Sequence, residues 1–438
     1  MPYTTNSLAN QWMPFTANRD FKSDPRLLVR AEGMWYWTHA GERILDGASG
    51  LFCCAAGHGR KEIAEAVADQ LASLDYGPSF QFGHPIAFEF ASRLARITPG
   101  DLNHVFFVNS GSEAIDTALK IAMAYHQARG EGQRRYFVSR ERAYHGVNIG
   151  GTSLSGIVRN REAFGSQLPH VVHMRHTWQP EHRFVRGQAD DGAHLADDLQ
   201  RFVALYGSKT IAGCFVEPIA GSTGVLVPPR GYLPRLREIC DAHGILLVFD
   251  EVICGFGRTG RAFGADSFGV VPDMMTMAKA LTNGAQPMGA VAVREGIYET
   301  ITQQTPVGGI ELFHGYTYSA HPAACAAGLA ALDIYERDKL FERAASLTDG
   351  FLDRIFSLAD LPIVTDVRGY GMLAALDLTP ASAPGVRGAD VLKRLYAAGL
   401  LVKVTGDTVI LAPPLIAEAA HLDQIKDILR DVLACFPG

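Results

Sequence analysis

Nowhere does the 438-residue chain carry an apolar run approaching the ~18 residues needed to cross a bilayer, so no membrane span is expected. A large charge excess is lacking too. The net charge of -6 gives no basic surplus of the kind that grips nucleic acid. Cysteine is scarce and ill-spaced: seven residues, an odd number, with Cys53 and Cys54 adjacent and no C-x-x-C. That excludes a zinc ribbon and argues against a disulfide framework, so no metal is expected and reduced thiols in a cytoplasmic protein fit best. Met1-Pro2-Tyr3-Thr4-Thr5-Asn6-Ser7 has neither a basic nor an apolar leader region, and no secretory signal is expected. Internal repeats and low-complexity stretches are absent as well. At 47% hydrophobic and 20% charged residues, the composition is that of a globular chain of two or three domains, or of one large domain with a small one attached.

Within that ordinary background one stretch stands out. Ile245-Leu246-Leu247-Val248-Phe249 is purely apolar and ends abruptly at Asp250-Glu251. Such a run predicts a strand buried on both faces, as in a parallel sheet, whose carboxyl end is where α/β proteins bind ligands. A second run, Met274-Met275-Thr276-Met277-Ala278, ends at Lys279. An acid and a lysine at the ends of adjacent buried strands suit pyridoxal 5'-phosphate (PLP): lysine forms a Schiff base with its aldehyde, and a carboxylate keeps its ring nitrogen protonated. Either residue alone has a plainer reading, Lys279 as a solvated strand-end lysine and Asp250 as a cap or ion-pair partner.

Signals for helix and strand alternate through the middle of the chain, as βαβ architecture demands. Val105-Phe106-Phe107-Val108 predicts a strand, and Ser110-Gly111-Ser112-Glu113 opens a helix bearing Ile115, Leu119, Ala122 and Met123. Ser110 and Glu113 fit a capping box, and the same turn exposes N–H groups suited to a phosphate. Further strands are predicted at Tyr136-Phe137-Val138 and from Ile211 to Val216, the latter ending at Glu217; a helix is predicted from Tyr232 to His243. Toward the ends lie a hairpin formed by Met34–Trp37 and Arg43–Asp46, an amphipathic helix at Lys61–Leu74, a long helix rich in small residues from Ala323 to Tyr335, and a terminal helix from Leu422 to Phe436. Leu400–Lys403 and Val409–Pro414 are expected to pair around Gly406-Asp407, and residues 176–195, polar with Pro180, Gly187 and Gly192, to form an exposed excursion.

Asp250-Glu251-Val252-Ile253-Cys254-Gly255-Phe256-Gly257-Arg258-Thr259-Gly260, followed by Pro272-Asp273 and Lys279, resembles the signature of the class III aminotransferases, and in particular their ω-amino acid–pyruvate (β-alanine–pyruvate) branch. The likeness runs over nearly the whole chain. It implies a PLP-dependent transferase of fold type I: an α/β large domain with a mostly parallel sheet (76–322) and a small α+β domain built from both termini (1–75 and 323–438). It further implies Lys279 as the Schiff-base lysine and Asp250 as the partner of the ring nitrogen. Ser110, Gly111 and Ser112 match the phosphate cup, Tyr144 of Tyr144-His145-Gly146 the ring-stacking tyrosine, Val252 the opposite ring face, and Glu217 a carboxylate reaching the site. Val252, two residues past Asp250, is expected on the same side of an extended chain. His145 is expected as support. Thr317, in His314-Gly315-Tyr316-Thr317-Tyr318-Ser319, would serve the cofactor phosphate of a neighbouring subunit, in a homodimer or dimer of dimers with shared sites.

The expected reaction moves an amino group from an ω-amino acid such as β-alanine, or from a primary amine, to a keto acid such as pyruvate. Phe52, Phe82 and Tyr144 are expected to wall the substrate pocket, with Phe52 standing where the branch commonly has Trp and leaving more room. Val402-Lys403-Val404-Thr405-Gly406-Asp407 departs from the branch's Val-Arg-x-x-Gly-Asp, so Lys403 either replaces the carboxylate-gripping arginine or is a solvated edge residue, with Arg368 as another possible cation. The motifs settle the cofactor rather than the final bond broken, which leaves an aminomutase or decarboxylase as the alternative. A remoter one, a nicotinamide-dependent dehydrogenase, rests on the G-x-G-x-x-G string Gly255–Gly260, which lacks a clear following helix.

Overall fold

A computed structural model describes residues 8–165 and 168–436; Met1–Ser7, where no leader is expected, lies outside the described residues. Its centre is a seven-stranded sheet. In spatial order the strands are His104–Val108, Gly289–Val293, Met274–Met277, Leu246–Asp250, Ile211–Val216, Tyr136–Arg140 and Val171–Met174. The last five in that order are mutually parallel, while Gly289–Val293 runs antiparallel to both its neighbours. This mostly parallel sheet flanked by helices has the architecture of fold type I.

Every residue of Ile211–Val216, Leu246–Asp250, Met274–Met277 and Gly289–Val293 is buried. These strands therefore read as continuous apolar runs without alternation, as a sheet covered on both faces requires. Each Val, Leu or Phe so buried contributes about 1.5–3 kcal/mol of transfer free energy. Helix Gly111–Ala128 turns its apolar residues Ile115, Leu119 and Ala122 into the sheet and leaves Met123 39% exposed, so the expected apolar face is narrower than the spacing implied. Helix Tyr232–His243 leads into the central strand through Gly244, whose φ of +63° closes the helix in the left-handed region that glycine enters freely.

Strands Leu28–Glu32, Trp35–Thr38 and Arg43–Asp46 form antiparallel ribbons, and Leu400–Leu401 adds in parallel, Leu400 opposite Leu45 and Leu401 opposite Asp46. Residues from opposite ends of the chain thus share one sheet. A second small sheet has the order Val364–Tyr370, Leu373–Leu378, Thr408–Leu411, Lys403–Thr405. The 400–414 region consequently splits in a way its sequence did not announce. Lys403–Thr405 pairs with Thr408–Leu411 about the Gly406 turn, while Leu400–Leu401 belongs to the other sheet.

Two further expectations change. Residues 176–195 are a strap rather than a free excursion. Trp178 Nε1–H and the Phe184 N–H both donate to Asp366, at 2.9 and 2.7 Å, and Arg186 bridges to Gly369. The string Gly255–Gly260 forms consecutive turns instead of opening a helix, with Gly257 at φ +92° and Gly260 at φ +84°. That removes the strand–turn–helix context a dinucleotide fingerprint needs. Buried Arg258 pins this run by donating to Pro413 O at 2.6 Å and Ser49 Oγ at 2.9 Å.

Candidate active site

Three neighbouring parallel strands end at charged side chains: Ile211–Val216 runs into Glu217, Leu246–Asp250 ends on Asp250, and Met274–Met277 is followed by Ala278 and Lys279. All three side chains line one cavity of ≈ 320 Å³. Its walls also include Ser110, Gly111 and Ser112 on one side and Tyr144 and Val252 on others. The structure therefore brings together nine of the residues singled out from the sequence if His145 is counted with them.

Asp250 is held from three directions. His145 Nδ1–H donates to its Oδ2 at 2.8 Å, and the Thr276 hydroxyl and the Val252 N–H each donate to Oδ1 at 3.2 Å. All four residues except Val252 are buried, so the carboxylate's orientation is set before any ligand arrives. Thr276 is the one hydroxyl in an otherwise all-methionine strand, which was its sequence signal. Strand geometry stops at Asp250, and Val252 reaches the cavity from a turn rather than along an extended chain.

Glu217 accepts the Tyr144 N–H at 2.9 Å and the Gly221 N–H at 3.2 Å. Burial, with a smaller push from Asp250, raises its carboxyl to about 7, against the opposing pull of His145 and Arg140. Next along the chain from Asp250, Glu251 accepts from the Gly264 and Ala265 N–H groups, and burial raises it to about 8. Lys279 sits at φ +54°, a left-handed conformation costing a non-glycine residue roughly 1–3 kcal/mol.

The turn ahead of helix Gly111–Ala128 has the geometry of an anion cup. Ser110 Oγ accepts the Glu113 N–H at 3.2 Å and Ser110 O accepts the Ala114 N–H at 3.0 Å, leaving Gly111 and Ser112 N–H without intrahelical acceptors. Glu113 closes back on the Asn109 N–H at 2.7 Å, one residue before the anticipated box partner. A Cβ on Gly111 would meet both Val252 methyls at 3.2 Å, so glycine keeps the cup open beside the Asp250 turn. PLP needs an amine, a carboxylate for its ring nitrogen, donors for its phosphate and apolar or aromatic groups against its ring; this cavity is lined by residues of each kind.

The remaining expected residues lie elsewhere. Phe52 does not wall the cavity: positive φ at Ser49, Gly50 and Phe52 kinks the segment, turning the ring into a cluster with Ile219, Val225 and Ile253. Cys53 lines the cavity in its stead, its thiol raised by burial. Phe82 is 73% exposed. Thr317 is exposed, with its carbonyl accepting from Tyr76 OH at 3.0 Å. Lys403 lies on an edge strand, and its Nζ donates to Val404 O at 2.7 Å, while burial lowers its pKa. Arg368 is no free cation: it is buried and spent on Asp366, Asp377 and the Gly224 carbonyl.

Fold and cavity together define a PLP-dependent enzyme whose lysine and aspartate stand on adjacent strands. The chain belongs to the class III aminotransferases: the family described as "Aminotransferase class-III" matches residues 16–433. It is 54% identical over 98% of both chains to an omega-aminotransferase of Caulobacter vibrioides. A beta-alanine–pyruvate aminotransferase of Pseudomonas aeruginosa is 49% identical, covering 98% of this chain and 96% of its own. Among solved structures, an omega transaminase of Pseudomonas jessenii in complex with PMP superposes with a TM-score of 0.91 at 32% identity, covering 97% of this chain and 95% of that one. Among the described residues no helix is long and apolar enough to cross a membrane.

Proposed function

We propose that the enzyme is an ω-aminotransferase that takes the amino group of a β-alanine-like ω-amino acid or a primary amine and delivers it to pyruvate. The observation carrying this reading is the placement of Asp250 and Lys279 on adjacent parallel strands around one cavity, in a chain about half identical to relatives named for such reactions. Bound PLP supplies an aldehyde for the amine and a ring that withdraws electrons from the amine-bearing carbon. Asp250, oriented by His145, Thr276 and Val252, holds the ring nitrogen's proton. The N–H groups of Gly111 and Ser112, with Ser110, take the phosphate. Tyr144 and Val252, both lining the cavity, would cover opposite ring faces. Lys279 Nζ is the base that removes the proton from the donor's amine-bearing carbon and returns it on the far side of the same nitrogen. Glu217, in the same cavity, would offer the bound cofactor a carboxyl whose charge changes near neutral pH.

A second copy of the chain completes the site in this reading. Phe80, set against Gly315, and Val307, Phe313 and Tyr318 of the segment flanking Thr317 are exposed apolar side chains of the kind a partner covers. Such a homodimer would carry Thr317 to the neighbour's phosphate. Weak discrimination for a carboxylate follows from the side-chain inventory: among the described lining residues Lys279 is the sole Lys or Arg, Arg368 is committed, and Lys403 lacks the planar fork of arginine. Seven unpaired cysteines support a reducing, cytoplasmic setting.

The test is an absorbance titration. Visible cofactor absorbance should bleach with β-alanine or a simple primary amine and return with pyruvate. Carbon dioxide release, or an isomerised amine without any keto product, would assign the decarboxylase or aminomutase chemistry instead.

A further inference from the structure

The turn that follows Lys279 is tied to a segment 227 positions earlier in the chain. Asn283, buried and at φ +52°, accepts the Ala56 N–H on Oδ1 at 2.8 Å and donates from Nδ2 to the Gly57 carbonyl at 2.9 Å. Both faces of its amide are spent on that one loop. The turn itself is tight: Lys279–Thr282 is a 3-10 turn, Asn283 N–H bonds Ala280 O at 3.0 Å and Gly284 N–H bonds Lys279 O at 3.1 Å. Next door, Gly284 abuts Cys53 so closely that a Cβ there would stand 2.9 Å from the cysteine Cβ. Gly284 and Cys53 both line the cavity, so the Asn283 bonds join two of its walls.

We infer that Asn283 is a positioning residue for Lys279, its amide latching the lysine-bearing turn to Ala56 and Gly57 and so fixing where the Lys279 amine is delivered. Two non-glycine residues in left-handed conformation, Lys279 and Asn283, bracket this turn. Such strain persists where surrounding bonds over-determine the backbone. Ala280 O is held by Tyr335 OH at 2.5 Å, and Asn283 supplies the tie on the far side. An amine that must meet one substrate carbon depends on this frame, since a displacement of ~1 Å in a reacting group costs about 10²-fold in rate.

This inference rests on Lys279 being the lysine that carries the cofactor, which Lys279→Ala tests separately: a variant that keeps the visible band overturns that reading of the site whatever Asn283 does. The latch is tested on the holoenzyme with Asn283→Gly, which keeps the left-handed backbone at no cost and removes both bonds. We expect kcat with β-alanine and pyruvate to fall about 10–100-fold while the donor KM moves less than ~3-fold. The pH midpoint of the visible band should shift as well, which a loss of general stability would not produce. Asn283→Asp keeps the acceptor for Ala56 N–H but sets a carboxylate against the Gly57 carbonyl, and should be impaired in the same way. If Asn283→Gly has wild-type kcat and midpoint while Asn283→Ala is impaired, Asn283 serves the turn's backbone alone and the inference fails. Should the variants not fold, hydrogen exchange on wild-type holoenzyme decides. Exchange at Ala56 should quicken when an amine donor bleaches the visible band, and an unchanged rate overturns the latch.

Discussion

Asp250 and Lys279 come from neighbouring parallel strands held in register, Val248 opposite Met274 and Asp250 opposite Thr276, so that Lys279 emerges three residues beyond the aspartate's own partner. Thr276 serves both sides of that relationship: its carbonyl accepts the Glu251 N–H at 3.0 Å and its hydroxyl donates to Asp250. One shift of register would turn Asp250 to the other face of the sheet. Both side chains are thus positioned by the sheet ladder, and only their final aim is left to the turns that follow.

Asp250→Asn should retain the fold and lose at least 10³-fold in kcat, about 4 kcal/mol of transition-state stabilisation. The amide keeps an acceptor for His145 but no longer holds a proton on the ring nitrogen. Stopped-flow bleaching by an amine donor, with circular dichroism as the control for folding, measures it. A loss under tenfold would remove Asp250 from the centre of the chemistry.

The proposed sharing of sites between subunits makes a prediction that a single-chain site does not. Lys279→Ala and Thr317→Ala subunits, each poorly active, should regain activity on mixing, because the heterodimer carries both lesions in one site and none in the other. Native mass spectrometry establishes that subunits have exchanged. Exchange without recovery would place both residues in the same subunit's site.

If Lys403 leaves Val404 O to take the substrate carboxylate, Lys403→Arg should lower KM for β-alanine and pyruvate, since a guanidinium binds a carboxylate with two parallel hydrogen bonds. Lys403→Met should raise those values by roughly 1–3 kcal/mol of lost charged hydrogen bonding and leave a simple aryl-alkyl amine unaffected. Steady-state kinetics with the three substrates distinguishes this from an edge lysine content with Val404 O, for which neither substitution moves any KM.

Glu217 links stability to pH. Its folded carboxyl is raised from 4.5 to about 7, so the folded state holds a proton that the unfolded chain releases between those values. The stability it contributes is fully present below pH ~4.5 and is lost as pH rises through ~7, a change on the order of 3 kcal/mol. In cofactor-free protein, Glu217→Gln should therefore flatten the fall in Tm between pH 5 and 8, read by differential scanning calorimetry at matched ionic strength. An unchanged slope would mean that Glu217 stays ionised throughout.

Much of the site was legible because its signals are local. Ser110 announces a helix start, a run of apolar residues ending in Asp250 announces a buried strand, and Lys279 follows another. Gly289–Val293 was not legible: five small apolar residues do not say whether they run parallel or antiparallel, and only the pairing with Phe107 and Thr276 decides it. Phe52 misled for a different reason. An aromatic residue near the site was expected to face it, but the left-handed or kinked backbone of Ser49, Gly50, Leu51 and Phe52 reversed its direction, and side-chain direction follows φ and ψ rather than sequence position.

The amino-acid sequence by itself placed Asp250 and Lys279 at the ends of two buried strands, because strand burial and strand-end chemistry are written in contiguous residues, and its resemblance to the class III aminotransferases carried the fold class and the cofactor. Only the tertiary structure decided which groups aim them. His145, Thr276 and Val252 converge on Asp250, Asn283 reaches back to Ala56, and Arg368 is withdrawn into its own carboxylates. Each of these depends on a hydrogen-bond partner tens to hundreds of residues away or on a turn's exact dihedrals. A buried polar group must find such a partner or bear the cost of its desolvation, and which partner it finds is settled only when the strands and turns are packed together.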